Sequence, residues 1–313
     1  MSKVNNVHKV ISNNKTMLFN ISEKVNIKKI ILLGVFLLSI YSCFGPEDEN
    51  NESFEYPLSI GNTWEYTHSW NMYSYSDTAI IQHQYEDTST FSSGVSVKVT
   101  KKVTLENLVE AIEVVGVDSS ITGINSMSTA INYYKNNNDG LFEYAYKSGG
   151  SIILLKKQSE GSIVFKGLKF KNYKQLSDFI QQAIPNQRVF SDSIIYEDPP
   201  LKILQYPIEI GDQWIFRQDN DPWRLDKKVI DKKDVELNVG TFECYEIKWL
   251  YDMDHDGEWD DDICVSDLIS KQGLIQRIIT INGIENTTVS GESGGYFDSV
   301  DSLILTDLNV ELE

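Results

Sequence analysis

Beyond residue 55, polar and apolar residues alternate with a period of two along much of the chain. Ser96-Val97-Lys98-Val99-Thr100-Lys101-Lys102-Val103 alternates, and so does Cys244-Tyr245-Glu246-Ile247-Lys248-Trp249. This period sends successive side chains to opposite faces of a strand. Ser151 to Leu155, Leu274 to Ile281 and Ser302 to Leu305 are further β-branched runs that predict strands. Turn sequences separate them: Asn138-Asp139-Gly140, Gly149-Gly150, Asp256-Gly257 and Asn282-Gly283. One segment departs from the pattern. Leu176, Phe179, Ile180, Ala183 and Ile184 follow i, i+3, i+4, i+7, i+8 spacing and stop before Pro185, which predicts a short amphipathic helix against the core. The expected fold is all-β and mostly antiparallel, a sandwich or an open curved sheet, with one short amphipathic helix.

An internal echo organises the chain. Tyr56-Pro57-Leu58-Ser59-Ile60-Gly61-Asn62-Thr63-Trp64-Glu65-Tyr66 matches Tyr206-Pro207-Ile208-Glu209-Ile210-Gly211-Asp212-Gln213-Trp214-Ile215-Phe216 at a constant offset. Pro fixes the chain ahead of a strand, Gly permits a turn, and the Trp and later aromatic share one strand face. Asp139-Gly140-Leu141 and Gln272-Gly273-Leu274 each follow their Trp element and open an apolar run. Two related halves are expected, residues 56–199 and 200–313, or one continuous domain over 56–313, with Trp64 and Trp214 at equivalent core positions. The paired Y-P-x-x-I-G-x-x-W elements, with Val239-Gly240-Thr241-Phe242-Glu243-Cys244 and the later Gly273-Leu274, resemble a family of Bacteroidota envelope lipoproteins of unknown function. The resemblance spans most of residues 56–281. It implies an envelope location and transfers no catalytic residue.

The first 42 residues read as a signal peptide. Lys28-Lys29 precede a dozen apolar residues from Ile30 to Tyr41, too few to span a bilayer as a helix. Ile40-Tyr41-Ser42-Cys43 resembles a lipobox, which implies cleavage before Cys43 and a diacylglyceryl group on its sulfur. Met17 is an alternative start. Residues 43–55 form an acidic tether with little to bury. The expected location is the outer membrane, lipid-anchored, on the surface or the periplasmic face.

Charge narrows the partners. The chain carries a formal −18. Six of its 28 basic residues and one of its 46 acidic residues lie in the leader, so the mature part holds 22 against 45. Such a surface repels nucleic acid. The expected partners are the membrane, through the N-terminal lipid, and a ligand or another envelope protein.

Candidate chemistry is sparse. Asp252-Met253-Asp254-His255-Asp256-Gly257-Glu258-Trp259-Asp260 carries the first half of a D-x-D-x-D-G calcium loop. Ligands from Asp252, Asp254, Asp256, Glu258 and Asp260 would hold a structural Ca²⁺; the position that normally supplies a closing Glu is Ile263. The alternative is a solvated acidic hairpin tip, with no cofactor. Cys244 and Cys264 flank that loop, and a hairpin over 244–250 and 262–268 would set them opposite one another. They are expected as a cross-strand disulfide or as two buried thiols. Thr78, Ser193, Ser299 and Ser302 each follow an Asp in a pattern that resembles the Bacteroidota O-glycosylation signal. Trp70, Tyr73, Tyr75, Trp223 and Trp259 are candidates for exposed binding aromatics. Gly291-Glu292-Ser293-Gly294-Gly295 reads as a Gly-rich turn, and no residue is assigned a catalytic role. The expected function is non-enzymatic binding of a ligand or partner. Hydrolysis of glycans or peptides, or carriage of acyl chains, are the alternatives.

Overall fold

The computed structural model describes residues 54–76, 85, 87–106, 108–120, 127–148, 162–182, 194–218 and 224–312. Fourteen strands form a single antiparallel sheet: β1 (Thr63–Tyr75), β2 (Asp87–Thr104), β3 (Glu110–Ser120), β4 (Met127–Asn137), β5 (Gly140–Ser148), β6 (Ser162–Phe165), β7 (Leu168–Phe170), β8 (Ile195–Gln205), β9 (Gln213–Gln218), β10 (Arg224–Leu237), β11 (Gly240–Asp252), β12 (Ile263–Ser270), β13 (Gly273–Thr287) and β14 (Ser293–Asn309). The helix α1 (Tyr173–Gln182) precedes β8. The fold is therefore all-β and antiparallel with one short helix, as the periodicity predicts. The runs around Val99, Ile247, Ile279 and Leu303 lie in β2, β11, β13 and β14. The strand expected at Ser151–Leu155 lies outside the described residues.

Strand order runs β8-β5-β4-β3-β2-β1-β14-β13-β12-β11-β10-β9, with β6 and β7 attached at β13. Right-handed twist accumulates over so many strands and curls the sheet. Curvature carries it almost to closure, so that β8 and β9, the two ends of the path, approach one another. Side chains rather than a ladder join them. The Trp214 indole Nε1 donates to the Lys202 carbonyl at 3.0 Å, and Arg217 Nη2 pairs with Glu197 Oε1 at 3.1 Å. Residues 199 and 200 both lie within β8.

The barrel is flattened, and its walls touch. Val114 of β3 packs in one cluster with Phe242 and Cys244 of β11, strands half a ring apart, around the fully buried Trp64. A second cluster places Trp214 with Leu141, Leu204, Val229 and Ile247. A third is filled by α1, whose Leu176, Phe179 and Ile180 are buried against Trp249, Tyr251 and Ile281. Ala183 and Ile184 lie outside the described residues. Asn172 caps the helix, its Oδ1 accepting from the Gln175 N–H at 2.9 Å. The Tyr251 hydroxyl donates to the Ile180 carbonyl at 3.0 Å, satisfying an orphan acceptor near the helix C-terminus.

The two Y-P-x-x-I-G-x-x-W elements fold alike. Gly61 (φ 104°) and Gly211 (φ 97°) sit just before β1 and β9. The Gly61 N–H donates to Val99 O at 3.0 Å, and Val99 N–H returns to Asn62 O at 2.9 Å. Gly211 and Val229 repeat the exchange, at 2.9 Å to Val229 O and 2.9 Å back to Asp212 O. Both β2 and β10 shift register immediately after that valine.

Candidate functional site

Period-2 alternation puts Trp64, Tyr66, His68 and Trp70 of β1 on the inner face. Register carries that face around the wall in two adjacent rows. In one row Trp70 stands opposite Asp301, Asp301 opposite Ile279, Ile279 opposite Val265, Val265 opposite Trp249, and Trp249 opposite Lys227. In the next, Ser93, His68, Leu303, Arg277, Asp267, Ile247 and Val229 follow one another. Ionisable groups thus occupy inward positions midway between the apolar clusters.

The β10–β13 side of this belt is a closed ion network. Arg277 grips Asp267 with two parallel bonds, Nε to Oδ1 at 2.6 Å and Nη2 to Oδ2 at 2.9 Å. The Trp249 indole donates to the same carboxylate at 2.9 Å, and the Arg277 guanidinium lies over that indole at 4.9 Å. Burial alone would raise the Asp267 carboxyl. The charge and hydrogen bonds of Arg277, with Lys227, overcome this and hold it below the usual carboxylate range. The Lys227 ammonium sits 4.2 Å from both the Phe216 and Trp249 ring centres and donates to Ile203 O at 3.3 Å. Only 3% of this residue is exposed. Burial brings it down to about 7, against the attraction of Asp267.

The β1–β14 side brings together residues far apart in sequence. His68 Nε2 lies 2.9 Å from Asp301 Oδ1, and His68 Nδ1 lies 3.3 Å from Ser93 Oγ. Asp118 Oδ2 is 3.9 Å from Nδ1. Burial lowers the imidazole, but the bond and charge of Asp301 and the charge of Asp118 raise it above its ordinary value. The order Ser93–His68–Asp301 has the connectivity of a nucleophile, base and orienting acid. Two features weigh against acyl transfer. Both edges of β2 at Ser93 are paired, to His68 and to Ser120, so the local backbone N–H groups are tied into the sheet rather than aimed at an oxyanion. Two carboxylates around one imidazole also favour the imidazolium, which is no base. Sequence reading missed this cluster because its members come from β1, β2, β3 and β14 and share no local motif.

The acidic loop lies apart from the inner wall, between β11 and β12. Asp252, Asp254 and Asp256 bring carboxylate oxygens within 4.8 Å of one another. Glu258 and Asp260 do not join them in that cluster. Glu258 donates its backbone N–H to Asp256 Oδ1 at 2.8 Å. Asp260 accepts the Met253 N–H at 2.8 Å and is ion-paired with Lys166 from the β6–β7 turn. Lys166 also pairs with Asp262 at 2.8 Å.

Other predicted site residues fall as follows. Cys244 is buried and Cys264 exposed, both as free thiols. Val265 stands opposite Trp249, five residues beyond Cys244. At about 3.3 Å per residue the two cysteines are separated by some 17 Å or more along the hairpin, far beyond disulfide reach. The expected cross-strand bridge is therefore not formed, because the strands pair several residues out of the register it requires. Ser299 is fully buried, and its Oγ accepts the Trp70 indole N–H at 2.9 Å. It has no room for a glycan, which corrects that assignment. Ser302 donates to Ser69 O at 3.4 Å on the outer face. Trp70 is buried in a stack between Phe91 and Tyr173, not an exposed platform. Cys43, Thr78, Ser193 and Trp223 lie outside the described residues.

No protein-family model and no curated protein matches this chain. Among solved structures it is similar to a candidate lipoprotein from Parabacteroides distasonis, with 14% identity and a TM-score of 0.32 over 82% of this chain and 99% of that one. It is also similar to a candidate exported protein with a YmcC-like fold from Bacteroides fragilis, with 10% identity and a TM-score of 0.26 over 82% and 99% of the two chains. A β-barrel-like protein from Brucella abortus aligns with 8% identity and a TM-score of 0.30 over 79% and 98%.

Proposed function

We propose that this chain is a cell-envelope protein anchored at the outer membrane by a lipid on Cys43, and that its barrel binds a ligand or a partner protein without catalysing a reaction. The observation that carries the binding reading is the belt of ionisable residues across two adjacent inner rows. A wall selected only to pack would hold apolar residues there, since buried ion pairs are weak stabilisers. The same belt argues against an acyl-chain carrier, which needs a continuous apolar lining. The hydrolase reading rests on Ser93, His68 and Asp301, and lacks an oxyanion donor at Ser93.

Two measurements test the proposal. Cells labelled with radioactive palmitate should yield a labelled, membrane-bound protein, and Cys43→Ala should remove both the label and the membrane association. Unlabelled wild type would end the anchoring claim. For binding, native mass spectrometry of the full chain released from its own membrane should show a retained molecule or partner that Arg277→Ala loses. Ester or amide turnover abolished by Ser93→Ala would replace binding with hydrolysis.

A further inference from the structure

Asp252 ends β11 with only 5% of the residue exposed, and its Oδ1 has no hydrogen-bond partner. A carboxylate in that position is costly unless a cation or donor meets it. The nearby cations give their hydrogen bonds to other carboxylates, and Arg224 acts on Asp252 through its charge. Arg224, its neighbour across the β10–β11 pair, directs its guanidinium to Asp226 at 2.8 and 2.9 Å. Lys166 is held by Asp260 and Asp262. The chain meanwhile folds two more acids back toward Asp252. His255 (φ 60°) and Gly257 (φ 86°) adopt left-handed backbone angles that tighten the loop, and Asp254 and Asp256 come within 4.8 Å of Asp252 through their carboxylate oxygens.

We propose that the β11–β12 loop is a Ca²⁺ site, with Asp252, Asp254 and Asp256 as its carboxylate ligands and with water and main-chain carbonyls completing the shell. An all-oxygen donor set selects a hard cation. A pliant loop suits the variable coordination of Ca²⁺ better than the strict octahedron of Mg²⁺. The site is narrower than the sequence pattern suggested. Asp260 is bound to Lys166, and the position of the usual closing Glu is Ile263, buried at the start of β12. Three carboxylates without a bidentate closing ligand match the weak end of calcium loops, with a Kd on the order of 10⁻⁴ to 10⁻³ M. Binding would pin the end of β11 to the loop and neutralise the buried charge. Such a site stands apart from whatever the barrel binds, since the loop lies outside the inner belt.

The test uses the full chain, detergent-solubilised and stripped with chelator. Trp259 lies in the same loop and is 39% exposed, so it can sensitise bound Tb³⁺. Excitation of tryptophan should give Tb³⁺ emission that millimolar Ca²⁺ displaces and equal Mg²⁺ does not. Ca²⁺ at about ten times Kd should raise the thermal midpoint by about 2–4 °C. Asp254→Asn with Asp256→Asn changes only exposed side chains and should abolish both signals while leaving the apo midpoint nearly unchanged. Asp252→Asn should also abolish the Ca²⁺ response, with an apo midpoint equal to or above wild type because the buried charge is gone. Absence of sensitised emission, equal displacement by Mg²⁺, or a Ca²⁺ shift that survives in the double variant would each overturn the assignment.

Discussion

The barrel has two seams where the ends of six-strand runs meet, and they are made differently. At one, β1 pairs with β14 from Thr63–Asn309 to Tyr75–Tyr296 in a backbone ladder. At the other, β9 and β8 are joined by side chains, through Trp214 and Arg217, with Lys227 of β10 reaching Ile203 of β8 as well. Yet β1 and β9 begin with the same turn, the same valine exchange and the same Trp position. Like sequences therefore produced like local geometry, while the neighbouring strand decided how each seam closes. Trp64 shows the difference. Its indole donates to Gln272 O at 2.6 Å and lies against Gly273, where an added Cβ would stand 2.9 Å from Nε1. Trp214 instead reaches across the open seam to β8.

The largest effect expected from breaking this comparison is at the tryptophans. Trp64→Ala should cost about 4 kcal/mol and Trp214→Ala about 3 kcal/mol in urea unfolding, since both leave core cavities but Trp214 sits at a sheet edge. Equal values, or the reverse order, would show that the two seams contribute alike. Next comes the ion pair of the side-chain seam. Arg217→Ala leaves the Glu197 carboxylate buried and should cost about 3 kcal/mol. The double variant Arg217→Leu with Glu197→Leu should stay within about 1 kcal/mol of wild type.

Acidity sharpens the comparison between the two sides of the inner belt. His68 has a raised value in the fold, so its contribution is complete below the unfolded value of about 6.5 and is lost as pH rises through the folded value. Lys227 is lowered to about 7, so above pH 7 the unfolded chain binds more protons at this site. Its contribution should rise by up to about 1.4 kcal/mol per pH unit from there toward the unfolded value. His68→Gln should leave the rising slope intact, and Lys227→Met should remove it. A Lys227→Met protein whose stability still climbs above pH 7 would refute the assignment. The smallest effects are at the turns. Gly61→Ala and Gly211→Ala meet no atom within 4 Å and differ from wild type only in the strain of a positive φ. Each should cost about 1 kcal/mol, and the two should agree within error.

Legibility followed the range of the interaction. Asp256-Gly257 and its acids marked the loop, because three acids within five residues need only a local turn to come together. The ion network was illegible. Asp267 and Arg277 are ten residues apart, but they meet because β12 and β13 pair there. His68 and Asp301 are 233 residues apart and meet because β1 happens to neighbour β14. The cysteines mark the limit of hairpin reasoning. Both strands were foreseen, but the register between them rests on where the ladder begins, and no residue pattern near Cys244 or Cys264 states that.

What the sequence determined by itself is the strand period, the amphipathic helix face at Leu176, Phe179 and Ile180, and the twin turns at Gly61 and Gly211. These follow from forces acting over a few residues: side-chain alternation along a strand or a helix, and backbone sterics at glycine. The tertiary structure alone decided the curvature that nearly closes the sheet, the side-chain seam between β8 and β9, the flattening that presses Val114 toward Phe242, and the belt of paired charges inside. Those depend on which strands become neighbours and in what register. Such neighbours are chosen by burial summed over the whole chain, which no short segment contains.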